Sequence, residues 1–274
     1  MNLFLRHIAP LILLTLIASP LQANDGAPNS QIAPYPYLPP NVEGHVLLYH
    51  TFEGEADQPD IAPDGVRVES PDGKPADGLT GRGLAFEPGA GQGDVALRHK
   101  AFTVERPMTA MMWFRLPKPM TDTDGFKLVS LHGPKGHIVN YVRGKGKWRR
   151  LKRPTFLCRV WGFEGLVDAQ PYGGGSGRVA HGQWHHVALT VAAGAEVRVY
   201  WDGVERFRYA VKRRRFTADD IHTVVFGPGR SPVSMTIDEA VVLSKALSRD
   251  EIVRYIEAVR RLREIGYPVV VDNE

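Results

Sequence analysis

Seven cations crowd into eleven residues: Arg143, Lys145, Lys147, Arg149, Arg150, Lys152 and Arg153, with Trp148 among them and no acid. Such density repels itself in isolation and is relieved by a polyanion, because guanidinium groups pair sulfate or carboxylate oxygens bidentately. A second run, Lys212, Arg213, Arg214 and Arg215, offers the same chemistry. Placed on one rim, the two runs make a groove for an acidic glycan; kept apart, they are solvated loop charge with no ligand. Nucleic acid also rewards clustered Arg and Lys, but a chain that opens like an exported protein is not expected to meet it.

Catalytic groups are harder to assemble. Retaining glycosidases need two carboxylates about 5–5.5 Å apart. The densest acidic stretch, Glu53, Glu55, Asp57 and Asp60, is broken by Gly54, Pro59 and Pro63 and reads as a loop. Asp238 and Glu239 adjoin on an apparent strand, so alternation sends them to opposite faces. No Gly-x-Ser-x-Gly elbow, His-Glu-x-x-His zinc site or phosphate-cradling glycine loop occurs. A lyase arrangement, with Tyr141 or His137 as base beside Arg143, is the remaining enzymatic option, and the expectation is that the chain is not an enzyme. His185 and His186, beside Trp184, read as satisfied structural imidazoles. The one cysteine, Cys158, lies in an alternating stretch and reads as packed rather than reactive, which leaves no internal disulfide. Trp161, Tyr172, Trp201 and Tyr209 offer faces for sugar stacking, but alternation assigns Trp201 to a core and leaves the loop aromatics Trp148 and Tyr172.

These side chains have to be positioned by strands. With 28 Gly and 21 Pro in 274 residues the chain is rich in turn formers that weaken helices. Glu196 to Trp201, then Asp202-Gly203, then Val204 to Tyr209 is a hairpin, the Asp-Gly pair supplying the positive φ of a tight turn. Val187, Leu189 and Val191 share one face of the preceding strand, and His186, Ala188 and Thr190 the other. Further strands are expected at Val46 to Phe52, Gly83 to Glu87, Thr109 to Leu116, Phe126 to Leu131, Ile138 to Val142, Thr223 to Phe226 and Met235 to Leu243. Thr109 to Leu116 is apolar on both faces, as an inner strand would be. Ser248-Arg249-Asp250-Glu251 is a capping box, followed by Ile252, Ile256, Val259 and Leu262 at helical spacing and Gly266 as the stop.

The expected organisation is a signal peptide over residues 1–23, a Pro-rich linker over 24–41, one domain over 42–266 and a tail over 267–274. Without Arg6, 33 Lys and Arg stand against 30 Asp and Glu, a net charge of +3. The global field is weak, so local clusters matter more. No segment of the chain after the leader is apolar enough to span a bilayer, and the expected location is exported: secreted, periplasmic or at the cell surface.

Several stretches together resemble the laminin G-like jelly rolls of the concanavalin A-like lectin/glucanase superfamily over about His45 to Ile265. They are Val46 to Glu53, Gly81-Arg82-Gly83-Leu84-Ala85-Phe86, Thr109 to Phe114 with its Trp113, Gly182-Gln183-Trp184-His185-His186-Val187-Ala188-Leu189, Val199 to Gly203, and Ile237 to Ser248. The resemblance implies an all-β fold, a two-sheet antiparallel jelly-roll sandwich with one C-terminal helix. It also implies a lectin-like, carbohydrate-binding module that is commonly not a catalyst; the alternatives are a glycoside hydrolase or polysaccharide lyase of the same fold, or a cell-surface adhesion or structural protein. Glu53 and Asp238 match positions where such folds often hold a structural calcium ion between the first and last strands; the alternative is two strand-edge acids with no metal, and no other cofactor is implied. The stretch from Gly133 to Gly177 is longer and more basic than the family's usual connection.

Overall fold

In the computed structural model the described residues are 38, 42–69, 72–89, 93–121, 124–143, 155–161, 167–168, 179–192, 196–210, 217 and 220–265. All of them fall in one unit, Tyr35–Glu274. The leader, nearly all of the linker, the tail with Gly266, Tyr172, Lys212 to Arg215 and every member of the first basic run except Arg143 lie outside the described residues.

Among the described residues a short 3-10 turn at Glu43–His45 precedes fifteen strands. In chain order they are β1 (Val46–His50), β2 (Arg67–Glu69), β3 (Lys74–Asp77), β4 (Arg82–Phe86), β5 (Val95–Arg98), β6 (Met108–Arg115), β7 (Phe126–Gly133) and β8 (Gly136–Arg143). They continue with β9 (Thr155–Trp161), β10 (Val167–Asp168), β11 (Trp184–Ala192), β12 (Glu196–Trp201), β13 (Val204–Ala210), β14 (Thr223–Phe226) and β15 (Met235–Leu243), before helix α1 (Arg249–Ile265). One sheet runs β13-β12-β11-β6-β15-β4-β3, with β1 also on β15; the other runs β10-β9-β8-β7-β14-β5-β2. Every pairing is antiparallel, as the expected jelly-roll sandwich requires.

Two apolar layers hold this arrangement. Between the sheets lie Val187, Leu189, Val191, Val197 and Val199 from the first and Leu97, Leu131, Ile138, Cys158, Val160 and Val224 from the second. Cys158 is buried, and burial pushes its thiol well above the usual range, so it is an inert packing residue. Behind the first sheet, Met111, Trp113, Ala188, Tyr200 and Val241 pack against Ile252, Tyr255, Ile256 and Val259 of the helix. β6 is therefore apolar on both sides because both its sides are covered.

The helix begins where the capping box places it. The Ser248 amide donates to Glu251 Oε2 at 2.8 Å, and the Glu251 amide donates to Ser248 Oγ at 3.3 Å. Burial raises the Glu251 carboxyl, but Lys245 at 2.6 Å and the Ser248 donors outweigh it and bring it to about 2. The helix also lies on the Asp202-Gly203 turn, where φ is 48° and 77°. A Cβ on Gly203 would stand 2.8 Å from Val253 Cγ2. Gly203→Ala therefore combines an unfavourable φ with a clash, and should lower stability by about 2 kcal/mol, read as a lower urea midpoint at unchanged m-value.

Candidate functional site

Sequence reasoning singled out Glu53 and Asp238, and the structure brings both to one loop. Asp238 Oδ2 accepts from the amides of Leu79 at 2.7 Å and Thr80 at 3.2 Å, and Oδ1 accepts from the Glu239 amide at 2.8 Å. Glu53 Oε1 accepts from the Arg82 amide at 3.0 Å. The loop is glycine-lined for steric reasons: a Cβ on Gly78 would lie 2.6 Å from Asp238 Oδ2, and one on Gly81 would lie 2.1 Å from Glu53 Oε1.

Alternation does not separate Asp238 from Glu239 as expected. β15 bulges between Asp238 and Val241, with Glu239 at φ 50°, so both acids turn to the same loop. Glu239 accepts from the Tyr49 hydroxyl and, at 3.0 Å, from Thr80 Oγ1. Burial first, and the neighbouring Glu239 charge second, raise Asp238 well above the carboxylate range against the pull of its amides. Burial also raises Glu239 to about 7, with Tyr49 and Thr80 opposing and the charges of Asp60 and Glu53 adding. The partners of Asp238 are amides that can only donate, whereas those of Glu239 are hydroxyls that can turn, and the two acids titrate as a coupled pair whose burial favours the protonated form.

This donor set does not fit calcium. Both Asp238 oxygens are engaged by backbone N–H groups, and among the described residues no group of three or more His, Cys, Asp or Glu side chains is arranged to hold a metal. Nor does it fit hydrolysis, since Asp238 and Glu239 are both 0% exposed and no substrate reaches them. Of the lyase candidates, His137, Tyr141 and Arg143 share one face of β8. Tyr141 stands two residues from Arg143, about 7 Å along the strand, and His137 six residues away, about 20 Å, so only the tyrosine is placed beside the arginine.

Of the two adjacent histidines, His185 is satisfied, through Asp202 at 2.8 Å and the Ala180 carbonyl at 3.3 Å. His186 is not: it is buried between Trp113 and Tyr255, and neither ring nitrogen has a partner among the described residues. Burial lowers its pKa to about 3. Trp201 packs edge-on against Phe114 and Phe156 inside the sandwich, and Tyr209 is half-buried against the same core.

The two basic runs leave the sandwich at separated points. Phe156, at the start of β9, packs on Trp201, beside the hairpin turn. The second run follows Ala210, which lies opposite Glu196 at the far end of β12. The anchors are thus five residues apart along a strand, about 17 Å. Arg143, the described member of the first run, lies on the outer face of the second sheet with Tyr141, over whose ring the Arg159 guanidinium sits at 5.8 Å.

That outer face holds a feature the sequence reading missed, a groove of about 870 Å³. Its floor includes Ala96, Thr223 and Val225; Arg67, Arg98, Lys100 and Lys127 line it against Glu69 and Asp94. The register puts Arg67 beside Arg98, Arg98 beside Thr223, and Thr223 beside His132, so four strands each contribute one donor to a single row. At about 4.8 Å per strand the row spans about 14 Å. The next row, Glu69, Ala96, Val225 and Ser130, is small and mostly uncharged. One local signal was available: His132-Gly133-Pro134-Lys135-Gly136-His137 is a turn flanked by two histidines, which pair across β7 and β8 with ring centroids 5.7 Å apart.

The chain belongs to the Laminin_G_3 family of the concanavalin A-like lectin/glucanases superfamily, which matches residues 89–253. No curated protein matches it by sequence. Among solved structures it is similar to the binding domain of Paraclostridial Mosquitocidal Protein 1 (14% identity, TM-score 0.56, 78% of this chain and 52% of that one). It is also similar to botulinum neurotoxin type C, whose cell entry depends on interaction with two ganglioside molecules (13%, 0.57, 80% and 52%). A third is domain 4 of AbnA, a GH43 extracellular arabinanase from Geobacillus stearothermophilus, solved with arabinotriose (16%, 0.53, 77% and 98%). Identities this low show the shared fold. The chain spans about half the length of the toxin chains it matches. No helix among the described residues is long and apolar enough to cross a membrane.

Two outcomes follow for the buried acids. A group held neutral by burial stabilises the fold below its ordinary pKa of 4.5 and loses that contribution as pH rises through its folded value, here about 7. His186 acts with the opposite sign, its contribution being lost as pH falls from 6.5 toward about 3. Unfolding free energy should therefore peak in mildly acidic solution, and Glu239→Gln should flatten the alkaline flank by up to about 3 kcal/mol in urea titrations from pH 5 to 8. Millimolar calcium, compared with a chelator, should leave Tm unchanged; a rise of several degrees would restore the metal site.

Proposed function

We propose that this protein is an exported, non-catalytic carbohydrate-binding module. One observation carries the reading: a sandwich whose first sheet is backed by a helix presents on its second sheet a groove of about 870 Å³, lined by four cations and two acids. A trough with a small, partly apolar floor and donors along one side suits a sugar ring, which has apolar faces and a polar rim. Membership of a lectin and glucanase superfamily supports the class, and so do neighbours whose own descriptions name gangliosides and arabinotriose. The absence of substrate access to the Asp238–Glu239 pair supports binding over cleavage.

The finer reading is an acidic or sulfated polysaccharide. It draws on Arg143 at the mouth of the first basic run, on the face that carries the groove, with Lys145, Lys147, Trp148, Arg149, Arg150, Lys152 and Arg153 continuing from it. Lys212 to Arg215 follow Ala210, which lies about 17 Å away along the strand direction, and are assigned to the same ligand by their charge. The protein should be retained on immobilised sulfated glycan and eluted by moderate salt. Replacing Arg149, Arg150 and Lys152 with Gln should lower the salt required. An unchanged elution point removes that run from the site, and product release from a polysaccharide panel replaces the binding reading with an enzymatic one.

A further inference from the structure

Among the residues lining the groove, His132 is an imidazole that burial first, and neighbouring positive groups second, hold in the wrong charge state for an anion. We infer that Arg67, Arg98, Thr223 and His132 form a carboxylate-binding row for an anionic saccharide lying across the strands, and that His132 couples its capture to proton uptake. The inference rests on the carbohydrate-binding reading and names the ligand class and regulation of that site.

The geometry comes first. Four neighbouring strands present, on one face and in one line, two guanidiniums, a hydroxyl and an imidazole. Each guanidinium offers a planar fork that matches a carboxylate, and the hydroxyl bridges the charged ends. Of the two acids that line the groove, Glu69 is already engaged, 3.5 Å from Arg98 Nε. A carboxylated sugar laid along the row sets its ring on Ala96 and Val225 and its anion on the donors.

His132 is distinct from the other donors because its charge is not fixed. Burial chiefly, then Lys127 on its own strand and His137 across β8, lower its pKa to about 4. His137 is itself lowered by burial, by Arg159 on β9 and by Lys127. The other titratable or charged described residues lining the groove include Arg98, His99 and Lys100 at the end of β5, Arg67 and Glu69 on β2, and His222 before β14, with Lys135 in the turn between β7 and β8 and Arg230 acting on Asp94. Asp94, at the start of β5, is raised by burial. In neutral solution His132 is thus an uncharged imidazole among cations. An anion placed on the row offsets the repulsion from Lys127 and His137 and pairs the imidazolium directly against the cost of burial, so binding raises the His132 pKa.

The sign follows from linkage. Binding that raises the His132 pKa from about 4 toward the ordinary 6.5 strengthens as pH falls between those values and is flat above both. The ligand's own carboxylates stay ionised across that window, since sugar acids titrate near the ordinary carboxyl value of about 3.5.

The test uses tetragalacturonate as probe and its methyl ester as the uncharged control, with the full chain, by calorimetry at pH 5, 6, 7 and 8. Affinity for the acid should rise about tenfold from pH 7 to pH 5, with net proton uptake, and the ester should bind far more weakly with no such slope. His132→Gln should abolish the slope whatever its affinity at pH 8. A residual slope of full size in that variant would assign the effect to another residue of the groove and overturn the inference. Arg98→Gln should weaken binding by a similar factor at every pH. Should the histidine variant not fold, the His132 ring signal in NMR decides: its midpoint must move up on adding the acid, and an unmoved midpoint overturns the claim. Equal binding of acid and ester overturns the ligand class while sparing the carbohydrate reading. No binding of any glycan at any pH, together with an unmoved His132 midpoint, overturns that reading itself.

Discussion

Strand β15 changes partner halfway along one edge, and the sandwich depends on how that change is made. Met235 to Ile237 pair with β4, Ala240 to Leu243 pair with β1, and on its other edge β15 follows β6. Between the two partners the ladder is interrupted, and buried N–H groups left there would each cost more than 1 kcal/mol. Asp238 takes the Leu79 and Thr80 amides, and Glu239 takes the hydroxyls of Tyr49 on β1 and of Thr80. The two carboxylates thus stand in for the missing strand. Burying two adjacent acids raises both pKa values, and the amides on one and the hydroxyls on the other satisfy their oxygens.

From this junction the layers follow. β15 and β6 form the middle of the first sheet, apolar toward the second sheet and apolar toward α1. The helix covers one side of the sandwich, where the fully buried rings of Tyr255 and His186 meet with centroids 5.3 Å apart and burial keeps the imidazole uncharged. The opposite side, on the second sheet, is where charge collects: Arg67, Arg98 and Lys127 are exposed and the intervening floor is small. One face is therefore spent on stability and the other is available for recognition.

The architecture was readable because its signals are local. Thr223 to Phe226 and Met235 to Leu243 were delimited by alternation and apolar runs alone, and Ser248 with Glu251 located the helix start. Short strands escaped, among them Arg67–Glu69 and Val95–Arg98, because three or four residues carry too little pattern to distinguish them from loop. The groove escaped with them. Arg67, Arg98, Thr223 and His132 are scattered over more than half of the chain and become neighbours only through hydrogen-bond register, which no window of sequence contains. The bulge at Glu239 was hidden for a related reason: strict period-two reasoning has no place for an inserted residue held at positive φ. Clustered charge, by contrast, is conspicuous in a sequence whether or not the fold gathers it, which is why the basic runs drew attention ahead of the dispersed row.

Because each member of that row hangs from a different strand, the pitch between them belongs to the backbone and not to the side chains. Substitution can change what any one rung offers, from cation to hydroxyl to imidazole, without disturbing its neighbours. It cannot stretch or compress the ruler, fixed near 4.8 Å by the sheet itself. A partner's repeat must therefore be matched to that spacing through the reach of the side chains alone, which only the long arginines can extend.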